Sequence, residues 1–91
     1  MSTYAIVNRV ASQALPGAAV IVTVNNADAG ALSLFGEGDL ATCDTSGKTG
    51  TISRVDYKGN SLKVMPIQPN TTFDSGTYGY LAAGQTVTIT Y

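Results

Sequence analysis

Apolar and polar side chains take turns along several short stretches of this chain, the period expected of extended strands with one face buried. The clearest run is Thr49 to Val64, TGTISRVDYKGNSLKV, where Thr51, Ser53, Val55 and Tyr57 alternate with Ile52, Arg54 and Asp56. Alternation resumes at Ser61-Leu62-Lys63-Val64, after Lys58-Gly59-Asn60. Glycine and asparagine reach positive φ at least cost, so a tight reversal is expected at Gly59-Asn60, with an antiparallel hairpin around it. Gln85 to Tyr91, QTVTITY, repeats the pattern with Val87, Ile89 and Tyr91 on one face and Thr86, Thr88 and Thr90 on the other. The first face belongs in a core, and the threonines face solvent or a partner.

The remaining stretches are shorter. Tyr4-Ala5-Ile6-Val7 reads as a strand, while Arg9 to Leu15 fits either a helical turn or its continuation. Pro16-Gly17 is a turn signal. Ala18 to Val24, AAVIVTV, sets Val20, Val22 and Val24 on one face and Ile21 and Thr23 on the other. Apolar residues on both faces predict a strand covered twice, by a second layer or by another subunit. Asn25 to Gly30 is turn chemistry. Ala31 to Phe35 is expected as a strand with Leu32 and Leu34 on one side, broken by Gly36-Glu37-Gly38-Asp39. Leu40 to Cys43 is a further short strand, and Asp44-Thr45-Ser46-Gly47 is a turn. Pro66 and Pro69 mark an edge or an extended connector, because proline cannot donate to a sheet ladder. Phe73 to Tyr80 is a loop carrying glycine and tyrosine. About six to seven short strands with regular turns predict an all-β fold, a small antiparallel sandwich or barrel, over a single domain spanning residues 1–91.

Composition agrees. Twelve threonines and five tyrosines favour strands, whereas one glutamate, three glutamines and three lysines leave few polar helical faces. A charged content of 12% beside 44% hydrophobic residues describes a folding chain. The net charge is −1, and the basic residues Arg9, Lys48, Arg54, Lys58 and Lys63 form no run, which argues against nucleic acid as a partner. No stretch reaches membrane-spanning length and no charged-then-apolar leader opens the sequence, so neither a membrane partner nor a signal peptide is expected. A single cysteine, Cys43, excludes an internal disulfide and favours assembly inside a cell.

The chemistry-bearing residues are sparse. There is no histidine, which removes the commonest general base and the usual zinc ligand, and with them the ordinary serine triad. Cys43 lacks a base and is expected as a small buried apolar group. Glu37, Asp39 and Asp44 supply oxygen ligands, but their spacing matches no calcium loop. Ser46-Gly47-Lys48-Thr49 resembles the end of a phosphate-binding loop without its first glycine, since Thr42 stands there, and without a following helix. No cofactor, metal site or catalytic residue is predicted, and the chain is read as not an enzyme. The aromatic loop is the surviving candidate: Phe73, Tyr78 and Tyr80 are expected either as partner contacts or as a lid over an open end of the fold.

Val55-Asp56-Tyr57-Lys58-Gly59-Asn60-Ser61-Leu62-Lys63-Val64, then Pro66 and Pro69, then Gly79 to Ile89 (GYLAAGQTVTI) resemble the small β-rich accessory proteins of tailed-phage virions, of the head-fibre or capsid-decoration type. The resemblance covers less than half the chain and carries over no site residue. It implies a non-enzymatic structural protein of the virion, assembled in the host cytoplasm and attached to capsid protein. It also implies a homo-oligomer, a trimer ahead of a dimer. A short chain without disulfide, metal or cofactor independently gains from burying surface between subunits. The alternative is a carbohydrate- or cell-surface-binding β module, with Asn70, Tyr78 and Tyr80 near the contact.

Overall fold

The computed structural model describes residues 1–8, 15–25, 32–76 and 81–91. Six strands form one antiparallel sheet: β1 (Ser2–Ile6), β2 (Val20–Thr23), β3 (Leu40–Cys43), β4 (Thr49–Asp56), β5 (Ser61–Pro66) and β6 (Thr86–Thr90). Their order across the sheet is β1-β6-β3-β4-β5-β2. The protein is therefore all-β. The sheet curls until its two edge strands touch at one bridge, Val7 opposite Val24. Two backbone bonds flank that bridge, from Asn8 N–H to the Thr23 carbonyl at 2.7 Å and from Asn25 N–H to the Ile6 carbonyl at 2.9 Å.

The enclosed face is apolar on every strand. Ala5 and Val7, Val20, Val22 and Val24, Ala41 and Cys43, Ile52, Leu62 and Val64, and Val87 and Ile89 are all buried. Leu32, Phe35, Phe73 and Leu81 join them from outside the strands. Cys43 has no exposed area and is a free thiol inside this core, as its surroundings in the sequence predict. β6 likewise buries Val87 and Ile89, while Tyr91 lies at the rim with its ring 6.1 Å from that of Phe35.

The hairpin forms where expected, with Asp56 opposite Ser61 and residues 57–60 as the turn. Asn60 takes the positive φ, 51°. Gly59 serves a different need: a Cβ there would lie 2.7 Å from Asp56 Oδ2, and the same carboxylate accepts from the Lys58 and Gly59 N–H groups through Oδ1. Glycine leaves room for the side chain that caps the turn. Pro66 ends β5 and lies beyond the reach of β2, whose last partner on that side is Val20 opposite Val64, so no ladder bond is sacrificed. Pro16-Gly17 makes its turn, closed by Ala18 N–H on the Leu15 carbonyl, with Gly17 at φ 76°.

Two expectations are corrected. The strand expected over Ala31 to Phe35 is not found where it is described: residues 32–34 form a 3₁₀ turn, Leu32 is buried and Leu34 is half exposed, while Ala31 lies outside the described residues. With three residues per turn, positions two apart cannot share a face as they do in a strand. In β4 the simple alternation breaks at a β-bulge between Ile52 and Arg54. The extra residue keeps Arg54 outside and turns Val55 towards the core, which strict alternation from Ile52 would reverse. β2 is an edge strand covered on one face within this chain; Ile21 on its other face is 51% exposed, so of the two coverings expected for this strand no second layer of the described residues supplies one.

Candidate functional site

Of the aromatic loop, Phe73 is completely buried and belongs to the core, so its ring offers no external contact. Tyr78 and Tyr80 lie outside the described residues. Of the three acids weighed as oxygen ligands, Asp39 and Asp44 have structural partners. Asp39 Oδ2 accepts from Gly36 N–H at 2.8 Å, closing the turn before β3. Asp44, just past β3, accepts from the Thr86 and Thr88 hydroxyls at 2.6 and 2.8 Å. Part of the threonine face of β6 is thus occupied within the chain. Among the described residues, no three metal-ligating side chains group together.

A cluster that local patterning does not reveal joins the β3–β4 turn to the segment after β5. Lys48 Nζ lies 2.9 Å from Asp74 Oδ1 and 3.1 Å from Thr72 Oγ1. The Gly76 N–H donates to the same Asp74 oxygen at 2.7 Å, and the Ser46 hydroxyl donates to the Asp74 carbonyl at 2.6 Å. Asp74 is almost fully buried, whereas the Lys48 side chain is 40% exposed. Burial pushes the Asp74 carboxyl up, but the Thr72 hydroxyl, the Lys48 ammonium and the Gly76 N–H together hold it below its ordinary value. Asp74 therefore stays ionised and Lys48 neutralises it. Lys48 and Asp74 are 26 residues apart. The sequence signal was a lysine following glycine, and the segment after it is strand β4, not the helix a phosphate-binding loop requires.

Two grooves are lined by described residues. One, of about 420 Å³, runs beside the ion pair between Gly47-Lys48-Thr49 and Gln68, Asn70, Thr71 and Thr72. Its lining is hydroxyl and amide, with the lysine charge already balanced by Asp74. Asn70 is held there at φ 59°. The other, of about 380 Å³, lies on the outer face of the β4–β5–β2 edge. It is lined by Ile21, Arg54 and Lys63, which sit side by side in register, together with Asp56 and Ser61.

No family model, curated protein or solved structure matches the chain.

The described surface carries several large apolar side chains. Tyr4 on β1 and Tyr57 at the hairpin tip are each 59% exposed, and Ile21 on β2 adjoins the second groove. Scattered apolar residues are ordinary on a folded surface. Ile21 differs in position, since it projects from an edge strand in register with Lys63 and Arg54, so one strip sets an apolar side chain beside two cations, with Asp56 along the same groove. Among the described residues no helix is long and apolar enough to cross a membrane.

Proposed function

We propose that this chain is a non-enzymatic structural protein that works through protein–protein contact, decorating or stabilising a phage capsid as its resemblance to virion accessory proteins implies. The observation that carries this reading is the strip Ile21-Lys63-Arg54 on the outer face, where a half-exposed isoleucine at the sheet edge lies beside Lys63, with Arg54 next in the row. Lys48, Asp74, Asp44, Asp39 and Cys43 serve the fold. In this reading the partners are capsid protein and further copies of the chain, and the protein resides in the virion. The test is co-sedimentation of purified protein with assembled shells and, separately, with isolated coat subunits. Retention by shells and not by subunits is expected, and Ile21→Asp should weaken it at least tenfold. Failure to bind shells, or equal binding to free subunits, overturns the proposal.

The groove beside Lys48 supports a second reading, a carbohydrate- or cell-surface-binding module. Gln68 and Asn70 amides with Thr49, Thr71 and Thr72 hydroxyls supply donors and acceptors of the kind that pair with neutral polyols. A glycan array probed with wild type and Asn70→Ala separates the two: binding that the variant loses favours the module, and an empty array favours capsid contact.

A further inference from the structure

β1 lies at one edge of the sheet, and antiparallel pairing alternates the direction in which successive residues present their N–H and C=O groups. Met1 and Tyr91 exchange backbone bonds, and Val7 N–H donates to the Gln85 carbonyl, so the odd-numbered residues face β6. Even-numbered residues face the other way. Near the bridge that side is used, by Asn25 N–H on the Ile6 carbonyl and by Asn8 N–H on the Thr23 carbonyl. Ser2 and Tyr4 turn their N–H and C=O groups to the same side, where they have no partner among the described residues. Both residues are exposed. Natural sheets protect such an edge with lysine, proline, an inward charge or a bulge. The strand STYAI has no charged residue and no proline, and its register is unbroken.

We propose that Ser2–Tyr4 is the docking edge for a second copy of this chain, with β1 pairing antiparallel to β1 across a two-fold axis at Thr3. The inference rests on the reading that this protein acts by contact, and it names one such contact. The register follows from which groups are open. An axis at Thr3 sets Ser2 opposite Tyr4 of the second copy and Tyr4 opposite its Ser2, and each facing pair exchanges two hydrogen bonds. An axis at Tyr4 would set Ser2 against Ile6, whose carbonyl already accepts from Asn25. The other edge strand is less suited: β2 turns Ile21 and Thr23 outward, and the Thr23 carbonyl is taken by Asn8. Pairing through β1 also makes the contact isologous, so it closes as a dimer and leaves the Ile21 strip of each copy free.

Cross-linking tests the register directly. At the axis the two Thr3 residues face each other as a non-hydrogen-bonded pair with Cα atoms about 4.5 Å apart, within the span a disulfide bridges. The native thiol does not compete, because Cys43 is fully buried. Mild oxidation of Thr3→Cys should give a covalent dimer on a non-reducing gel, while Ser53→Cys, exposed at the β4 bulge, should stay monomeric. A second variant, Tyr4→Pro, removes an N–H that points away from β6 and so spares the ladder. It should sediment as a monomer at concentrations where wild type dimerises, with an unchanged far-ultraviolet spectrum. Equal cross-linking of both cysteine variants, or none of Thr3→Cys, overturns the proposal, as does dimerisation of a folded Tyr4→Pro. If Tyr4→Pro does not fold, the cysteine pair still decides. A dimer that ignores capsid shells refutes the proposed function and leaves this interface standing; shell binding by an uncross-linkable chain does the reverse.

Discussion

Replacing Lys48 with methionine isolates the contribution of the Lys48–Asp74 pair. The substitution preserves most of the apolar stem and removes the ammonium 2.9 Å from a carboxylate that is 3% exposed. Stripping a fully buried charge of its partner costs about 3–5 kcal/mol. Two features reduce that here. Lys48 is 40% exposed, so solvent screens part of the attraction, and Asp74 keeps the Thr72 hydroxyl and the Gly76 N–H. A loss of about 1–2 kcal/mol is expected, in the range found when a buried polar group loses one partner. For a domain of this length that is roughly 5–15 °C in Tm. The pH dependence has a defined sign. Asp74 is held below its ordinary value in the folded chain, so its contribution is fully present above the unfolded carboxylate pKa, about 3.9. It is lost as pH falls through the lower, folded value. Thermal unfolding followed by circular dichroism should therefore show the full gap between wild type and Lys48→Met at pH 7, closing below about pH 4. Equal Tm values at pH 7, or a gap of the same size at pH 7 and pH 2.5, would mean that Lys48 does not stabilise an ionised Asp74.

Further expectations concern the packing. At Gly50 a Cβ would meet the Met65 carbonyl oxygen at 2.5 Å and Val64 Cγ1 at 2.6 Å, so Gly50→Ala should cost about 1–3 kcal/mol or more in urea unfolding. Gly59→Ala meets chiefly the side-chain carboxylate of Asp56 and not backbone, and should cost less than half as much; equal losses would contradict the packing described at β4. Phe73→Ala should destabilise by about 3–5 kcal/mol, as expected for emptying a core site, and a wild-type denaturant midpoint would return Phe73 to the surface. Cys43 should resist a thiol reagent such as dithionitrobenzoate in native buffer and react stoichiometrically in denaturant; rapid native labelling would disprove its burial.

What could be read from the sequence was what depends on near neighbours. The hairpin was legible because Gly59 and Asn60 sit between two alternating runs, and β6 because its threonines and aliphatics alternate without interruption. Leu32 and Leu34 misled because a two-residue spacing fits a strand, and nothing local distinguishes it from a 3₁₀ turn that buries the first and exposes the second. The bulge at Ser53 has a signature in retrospect: Ile52 and Val55 are three apart, and both can face the core of a strand only if one residue is extra. The strand order was not legible. β6 inserts between β1 and β3, a pairing across most of the chain that no local pattern encodes. The ion pair was hidden for the same reason, since Lys48 and Asp74 meet only once β5 has carried the chain back past the β3–β4 turn. Of the aromatic candidates, Phe73 reads equally well as anchor or core from its type, and only burial separates them.

Amide hydrogen exchange of the labelled protein, free and bound to assembled shells, tests most directly whether this surface is built for contact. Added protection concentrated at Val20–Thr23 and at Arg54 and Lys63, with the core strands β3 and β6 unchanged, is the predicted result. Shells that leave the exchange of those residues unaltered would contradict it.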